Sequence, residues 1–152
     1  MFRKEAGAAL LALLSCTATA YAASGSINDP KGDLPDIVKL AYNNGNTKVA
    51  MTMTYATFHP QNESFYMRWG TGTKRYYQVF LGGGFNQLRD QHGTMVVCKG
   101  LTVKYPTKLS TKVIVPRSCV KKAPDKLRFQ GIATEGLNNR DETKISKAVA
   151  RG

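Results

Sequence analysis

The sequence predicts an all-β protein: an antiparallel β-sandwich of about eight or nine strands, stapled by one disulfide. Three observations point there. Short segments rich in Val, Ile, Tyr, Phe and Thr follow one another, with Gly, Pro and Asn between them. Residues 47–55 alternate, with Val49, Met51, Met53 and Tyr55 on one side and Ala50, Thr52 and Thr54 on the other. Nothing between these segments repeats its apolar residues at helical spacing, so βαβ units and a parallel sheet are disfavoured.

The elements follow in order. Residues 1–22 read as an export signal: Arg3 and Lys4 lead, Ala6 to Leu14 form a short apolar core, and Ala20-Tyr21-Ala22 is a small-x-small cleavage pattern. The apolar run is short for a membrane span. Leu13-Leu14-Ser15-Cys16 also resembles a lipobox, in which Cys16 becomes a lipidated terminus. The expected product is therefore secreted, or alternatively anchored by lipid through Cys16. A polar lead, Ala23 to Ser26, and a turn-rich stretch, residues 29–36, come next.

The first expected strand is Asp36 to Tyr42. Asn43-Asn44-Gly45-Asn46 reads as a tight hairpin turn, because Asn and Gly tolerate positive φ. Residues 47–55 form the clearest strand. Ser64 to Trp69, Lys74 to Leu81 and Phe85 to Arg89 follow, separated by glycine-rich turns at 70–73 and 82–84. Thr94 to Lys99, Leu101 to Tyr105, Thr111 to Val115 and Lys126 to Thr134 complete the set. One domain thus spans 23–134. Residues 135–152 are polar and read as a loosely ordered tail, with a short helix open to 142–150.

Past the leader two cysteines remain, Cys98 and Cys119. In an exported chain an even pair reads as a disulfide, closing a loop of about 20 residues worth about 3 kcal/mol. No C-x-x-C is present, and two thiols without nearby His make a poor zinc site.

The chain carries a formal charge of +12 over 152 residues, unevenly distributed. Residues 37–124 hold thirteen Lys and Arg against Glu63 and Asp90, while 23–36 hold Asp29, Asp33 and Asp36 against Lys31. A basic body attracts polyanions in a salt-dependent way. The plainer account is a solvated surface on which Lys104, Lys108 and Lys112 blunt strand edges. No helix-turn-helix, RNP motif or zinc finger is present, so no specific nucleic-acid partner is expected.

The acidic turn is the first candidate site. Asp29, Asp33 and Asp36, with Gly32 allowing a bend, offer oxygen ligands suited to Ca2+; the alternative is a turn whose carboxylates bond local N–H groups. The aromatics are the second. On strands, neighbours face opposite sides, so Tyr66 and Tyr76 lie outside if Phe65 and Tyr77 lie inside. With Trp69 they form a candidate row for stacking on sugar rings; the alternative is edge packing. Catalytic motifs are missing: there is no G-x-S-x-G, H-E-x-x-H or P-loop, and no catalytic residue is assigned.

The run Asp29-Pro30-x-Gly32-Asp33-x-x-Asp36-Ile37, with Val115-Pro116-Arg117-Ser118-Cys119 near the end, resembles small exported β-sandwich proteins of actinobacteria that have no settled function. These are loosely similar to the jelly-roll domains of family 9 carbohydrate-binding modules and to DOMON-type domains. The resemblance covers most of 27–134. It implies a jelly-roll-like sandwich, a structural cation near Asp29, Asp33 and Asp36, and no enzyme. The DOMON haem ligands, a Met and a His, find no assigned place; Met67, Met95 and His92 are the residues present.

The expected function is a secreted, non-catalytic module that binds a cell-envelope or extracellular polymer, carbohydrate or other polyanion. The alternatives are a small secreted hydrolase assembled from Asp90, Glu63 or His92, and a structural secreted factor without ligand.

Overall fold

A computed structural model describes residues 23–152 except 31, 33, 72 and 73. The export signal, Cys16 and Asp33 lie outside the described residues. Two antiparallel sheets pack face to face, and neither closes into a barrel. The five-stranded sheet has the order β1 (Ala23–Asn28), β2 (Ile37–Asn44), β3 (Lys48–Tyr55), β9 (Ser110–Pro116) and β8 (Thr102–Thr107). The six-stranded sheet has the order β11 (Asn139–Glu142), β10 (Arg128–Glu135), β4 (Asn62–Arg68), β5 (Tyr76–Gly82), β6 (Phe85–Asp90) and β7 (Met95–Val96). Among the described residues there is no α-helix; one 3-10 turn spans Arg117–Cys119.

The alternating pattern explains the core. Leu40, Met51, Met53, Val113 and Val115 of one sheet meet Phe65, Met67, Val79, Leu88 and Phe129 of the other, all buried. Tyr42 and Phe129 stack across the gap with ring centroids 4.6 Å apart. On β3 and β5 the residues of opposite parity are less buried, as expected for a sheet with one buried side, whereas on β10 residues 129–133 are buried at both parities. Gly131 leaves room for the opposite sheet: a Cβ there would strike the Met53 thioether.

Cys98 and Cys119 form the expected disulfide. It ties the segment that crosses from β7 to β8, the edge strands of the two sheets, to the end of β9.

Three expectations change. The polar lead is a strand: β1 pairs with β2 from Ala23↔Asn44 to Asn28↔Lys39. The tail is not loose. Strand β11 extends the sheet, and the residues after it run beside β10, where Thr143 Oγ1 and Ser146 Oγ accept the N–H groups of Gly131 and Phe129 at 3.0 and 2.8 Å. Leu127 and Val149 exchange backbone bonds of 3.0 and 2.7 Å, and no helix forms. Between β2 and β3, none of Asn43–Asn46 takes positive φ; the turn closes through Gly45 N–H on the Lys48 carbonyl at 3.1 Å. The glycine-demanding hairpin is instead the two-residue turn of Gly83 (φ +58°) and Gly84 (φ +82°) between β5 and β6.

Candidate functional site: an aromatic and arginine face

Strand parity places the aromatic candidates. Inside β4 point Glu63, Phe65 and Met67; on the other face lie Ser64 and Tyr66, half-buried, and Arg68, which is buried. The register Tyr66↔Gln78 and Arg68↔Tyr76 sets the outward residues of β5 beside them, and Gln130↔Tyr66 adds β10. Tyr66 and Tyr76 meet edge to face, centroids 5.2 Å apart at 73°. The Arg68 guanidinium lies over both rings, 4.3 Å from the Tyr66 centroid and 5.2 Å from that of Tyr76. Arg68 Nε donates to Gln130 Oε1 at 2.9 Å, and Gln130 Nε2 donates to the Thr143 carbonyl at 3.2 Å. Three strands and the C-terminal segment therefore hold this cluster.

Burial pushes the Tyr66 phenol above its usual pKa, against the opposing pull of Arg68. Burial lowers the Arg68 pKa, while Tyr66, Tyr76 and Glu142 favour its charge. Both groups keep their ordinary protonation at neutral pH. Further along the same face Gln78 Nε2 donates to Ser64 Oγ at 2.9 Å, and Arg89 lies 4.8 Å from the Phe80 ring centre while bonding Gln87. The outer face of this sheet thus alternates aromatic rings with amides and guanidinium groups. The outer face of the other sheet does not: it shows Ala41, Ala50, Thr52 and Thr54 with Lys39, Lys48 and Lys112.

Trp69, just past β4, turns inward and packs on Tyr77 at 5.6 Å. With Tyr76, Tyr77, Gln91, Val96 and Lys122 it lines a cleft of about 290 Å³. Tyr76 therefore belongs to both the outer cluster and the cleft, and it links Tyr66 to Trp69.

Asp90 and His92 line this cleft as well. Asp90 Oδ1 accepts the N–H groups of His92 and Thr94 at 2.9 and 3.0 Å. Desolvation works against its charge, but these two donors outweigh it and hold the carboxyl below the usual range. That is the chemistry of a turn rather than of a general acid. Glu63 sits at the far end of β4, paired with Leu81, whereas Asp90 pairs with Tyr77. The structure does not bring Asp90, His92 and Glu63 together.

Glu63 belongs to a different polar set that the sequence reading missed. It is buried between the sheets, where Tyr55 Oη donates to its Oε1. Burial raises its pKa, and hydrogen bonds from Thr111 and Tyr55 with the nearby His59 offset part of that rise. His59 Nδ1 lies 3.5 Å from Thr111 Oγ1, and its Nε2 is buried without a partner. An open trough of about 370 Å³ adjoins them, rimmed by the Gly82–Gly84 turn and Tyr105. Only the inward parity of Tyr55 and Glu63 on their strands could have announced this set.

Of the acidic turn, Asp29 and Asp36 are described. Asp36 is 2% exposed, and its Oδ1 accepts the Gly32 N–H at 3.2 Å. Asp141 of β11 joins them, its Oδ2 accepting the Ile37 N–H at 2.6 Å. Among the described residues, no three metal-ligating side chains stand ready around one point.

No protein-family model matches this chain, and a search of curated proteins returns no match.

Proposed function

We propose that this chain is an exported, non-catalytic module that binds a carbohydrate polymer, with a preference for acidic ones, along the outer face of its six-stranded sheet. One observation carries this reading: Tyr66, Arg68 and Tyr76 form a braced cluster on a sheet face, bordered by amides. Aromatic rings pack against the C–H faces of sugars, and amides and guanidinium groups bond hydroxyls and carboxylates. Bracing by Gln130 reduces the side-chain entropy lost on binding. Past residues 1–22 the net charge is +11, which adds long-range attraction for anionic chains. The disulfide supports an oxidising compartment, as the leader pattern of residues 1–22 does.

The experiment is retention on immobilised neutral and acidic polysaccharides over a salt series, for wild type, Tyr66→Ala and Tyr76→Ala. Acidic polymers should retain the wild type best, and each variant should weaken binding about tenfold, near the scale of one lost aromatic anchor. Part of the wild-type retention should survive at about 0.5 M salt, where screening leaves little pure charge attraction. Retention that vanishes with salt and ignores both substitutions would assign binding to charge alone. No retention on any polymer removes the reading.

A further inference from the structure

We propose that the Trp69 cleft is a second binding site, one that takes a zwitterionic head group: a quaternary ammonium joined by a short linker to a phosphate or carboxylate. Three rings line it. Trp69 stands where β4 ends, held by its N–H bond to the Arg75 carbonyl at 3.1 Å, and its ring is tilted by 41° against that of Tyr77. Tyr76 and Tyr77, neighbours on β5, complete the aromatic lining. At about 290 Å³ the cleft suits a head group rather than a polymer strand.

Charges of both signs lie beside the rings. Asp90 ends β6, and Lys122 comes from the segment just after Cys119. No ion pair joins them among the described residues, so they do not cancel one another in direct contact. The N–H groups of His92 and Thr94 keep Asp90 ionised and hold its Oδ1 in place.

These features narrow the ligand. Ring faces attract cations, and a quaternary ammonium suits them best, because it has no N–H that needs an acceptor. A primary ammonium would seek three acceptors, whereas Asp90 Oδ1 already accepts two N–H groups. A purely apolar ligand would strip water from Asp90 and Lys122 and supply no partner in return. A simple cation is repelled by the net charge of +11 past residues 1–22. A zwitterion has no net charge: its cation sits among the rings beside Asp90, and its anion meets Lys122. The polymer face shares Tyr76 with this cleft but binds different chemistry, so either reading can fail alone.

The test uses the full disulfide-bonded protein and leaves Tyr76 intact. Trp69 is the only tryptophan of the chain, so tryptophan emission reports this cleft directly. Phosphocholine is titrated with emission and heat followed together. The comparison ligands are tetramethylammonium and an uncharged analogue of phosphocholine in which carbon replaces the quaternary nitrogen. Phosphocholine should shift the emission saturably, with a Kd on the order of 0.1 mM. The uncharged analogue should bind about tenfold more weakly. Asp90→Asn keeps an acceptor for the turn and should weaken phosphocholine about threefold. Lys122→Ala, at an exposed position, should weaken phosphocholine by about the same factor without weakening tetramethylammonium. Sedimentation with phosphatidylcholine vesicles separates two sources of the head group. Co-sedimentation that phosphocholine competes away supports the proposal with a lipid surface as the source; phosphocholine binding without co-sedimentation supports it with a free compound. No emission change and no heat with phosphocholine overturns the proposal. An uncharged analogue that binds as tightly as phosphocholine overturns it, because the rings would then act only as an apolar surface. Unchanged affinity in both variants overturns it too, because the ligand would then sit elsewhere.

Discussion

Asn44 shows what one buried amide does for the sandwich. It ends β2 fully buried; its Nδ2 donates to the carbonyls of Val149 and Asp125 at 2.7 and 2.9 Å, and its Oδ1 accepts from Arg117. A side chain that reads as half of a turn signal thus anchors the C-terminal residues. Asn44→Ala leaves two carbonyls and a guanidinium short of partners. The expected cost is about 2–4 kcal/mol, read as a lower denaturant midpoint at unchanged m. Glu63 makes a second prediction at this scale. Burial raises its pKa above the ordinary value of 4.5, so the folded state holds the proton more tightly than the unfolded state. That contribution to stability is complete below the ordinary value and is lost as pH rises through the raised one. Glu63→Gln keeps an acceptor for Tyr55 and removes the titration. Between about pH 4.5 and neutrality, the wild-type melting temperature should therefore fall more than that of the variant. Parallel curves would show that Glu63 ionises freely.

Strands with a period of two were legible from their residues; strands whose hydrogen bonds come from side chains were not. β3 shows the first case, with Val49, Met51, Met53 and Tyr55 all buried. The C-terminal segment shows the second. Its inward residues, Thr143, Ser146 and Val149, recur every third position, and two of them are polar. That spacing matches neither a strand nor a strong helix. The segment is held because Thr143 and Ser146 side chains replace backbone acceptors along β10. β1 was missed for a related reason: Ser24, Ser26 and Asn28 face water, and only Ile27 contributes a large apolar group. The outer cluster was half legible. Alternation placed Tyr66 and Tyr76 outside, but the Arg68–Gln130 bond joins residues 62 apart in sequence and depends on register. A truncation after Glu142 tests the tail as an element. It strips the acceptors from Phe129 and Gly131 and uncovers Leu127, so it should cost about 3 kcal/mol or more in urea unfolding. A truncated chain as stable as the full one would mean that residues 143–152 ride on the sandwich without holding it.

At the scale of the molecule, the sandwich has two open sides, and each is fastened differently. On one side β1 lies opposite β11, with Asp141 bridging to Ile37 and a carboxylate cluster between. On the other, β8 and β7 are the edge strands, and the Cys98–Cys119 bond holds the crossing between them. The edges themselves are guarded. β7 is only two residues long, β8 carries Lys104 and Pro106 with an irregular register, and β11 is charged. The disulfide therefore does more than close a loop across a sequence separation of 21; it fixes how the two sheets are connected on that side. Replacing both cysteines by serine should cost about 3 kcal/mol, which lowers the melting temperature by about 10 °C for a domain of this size. The Tyr66–Arg68–Tyr76 face is held by β4, β5 and β10 and does not depend on that link. Polymer retention by the double variant should accordingly persist at temperatures where it stays folded. Loss of retention in a folded double variant would move the binding surface to the disulfide side, near Lys122 and the Trp69 cleft.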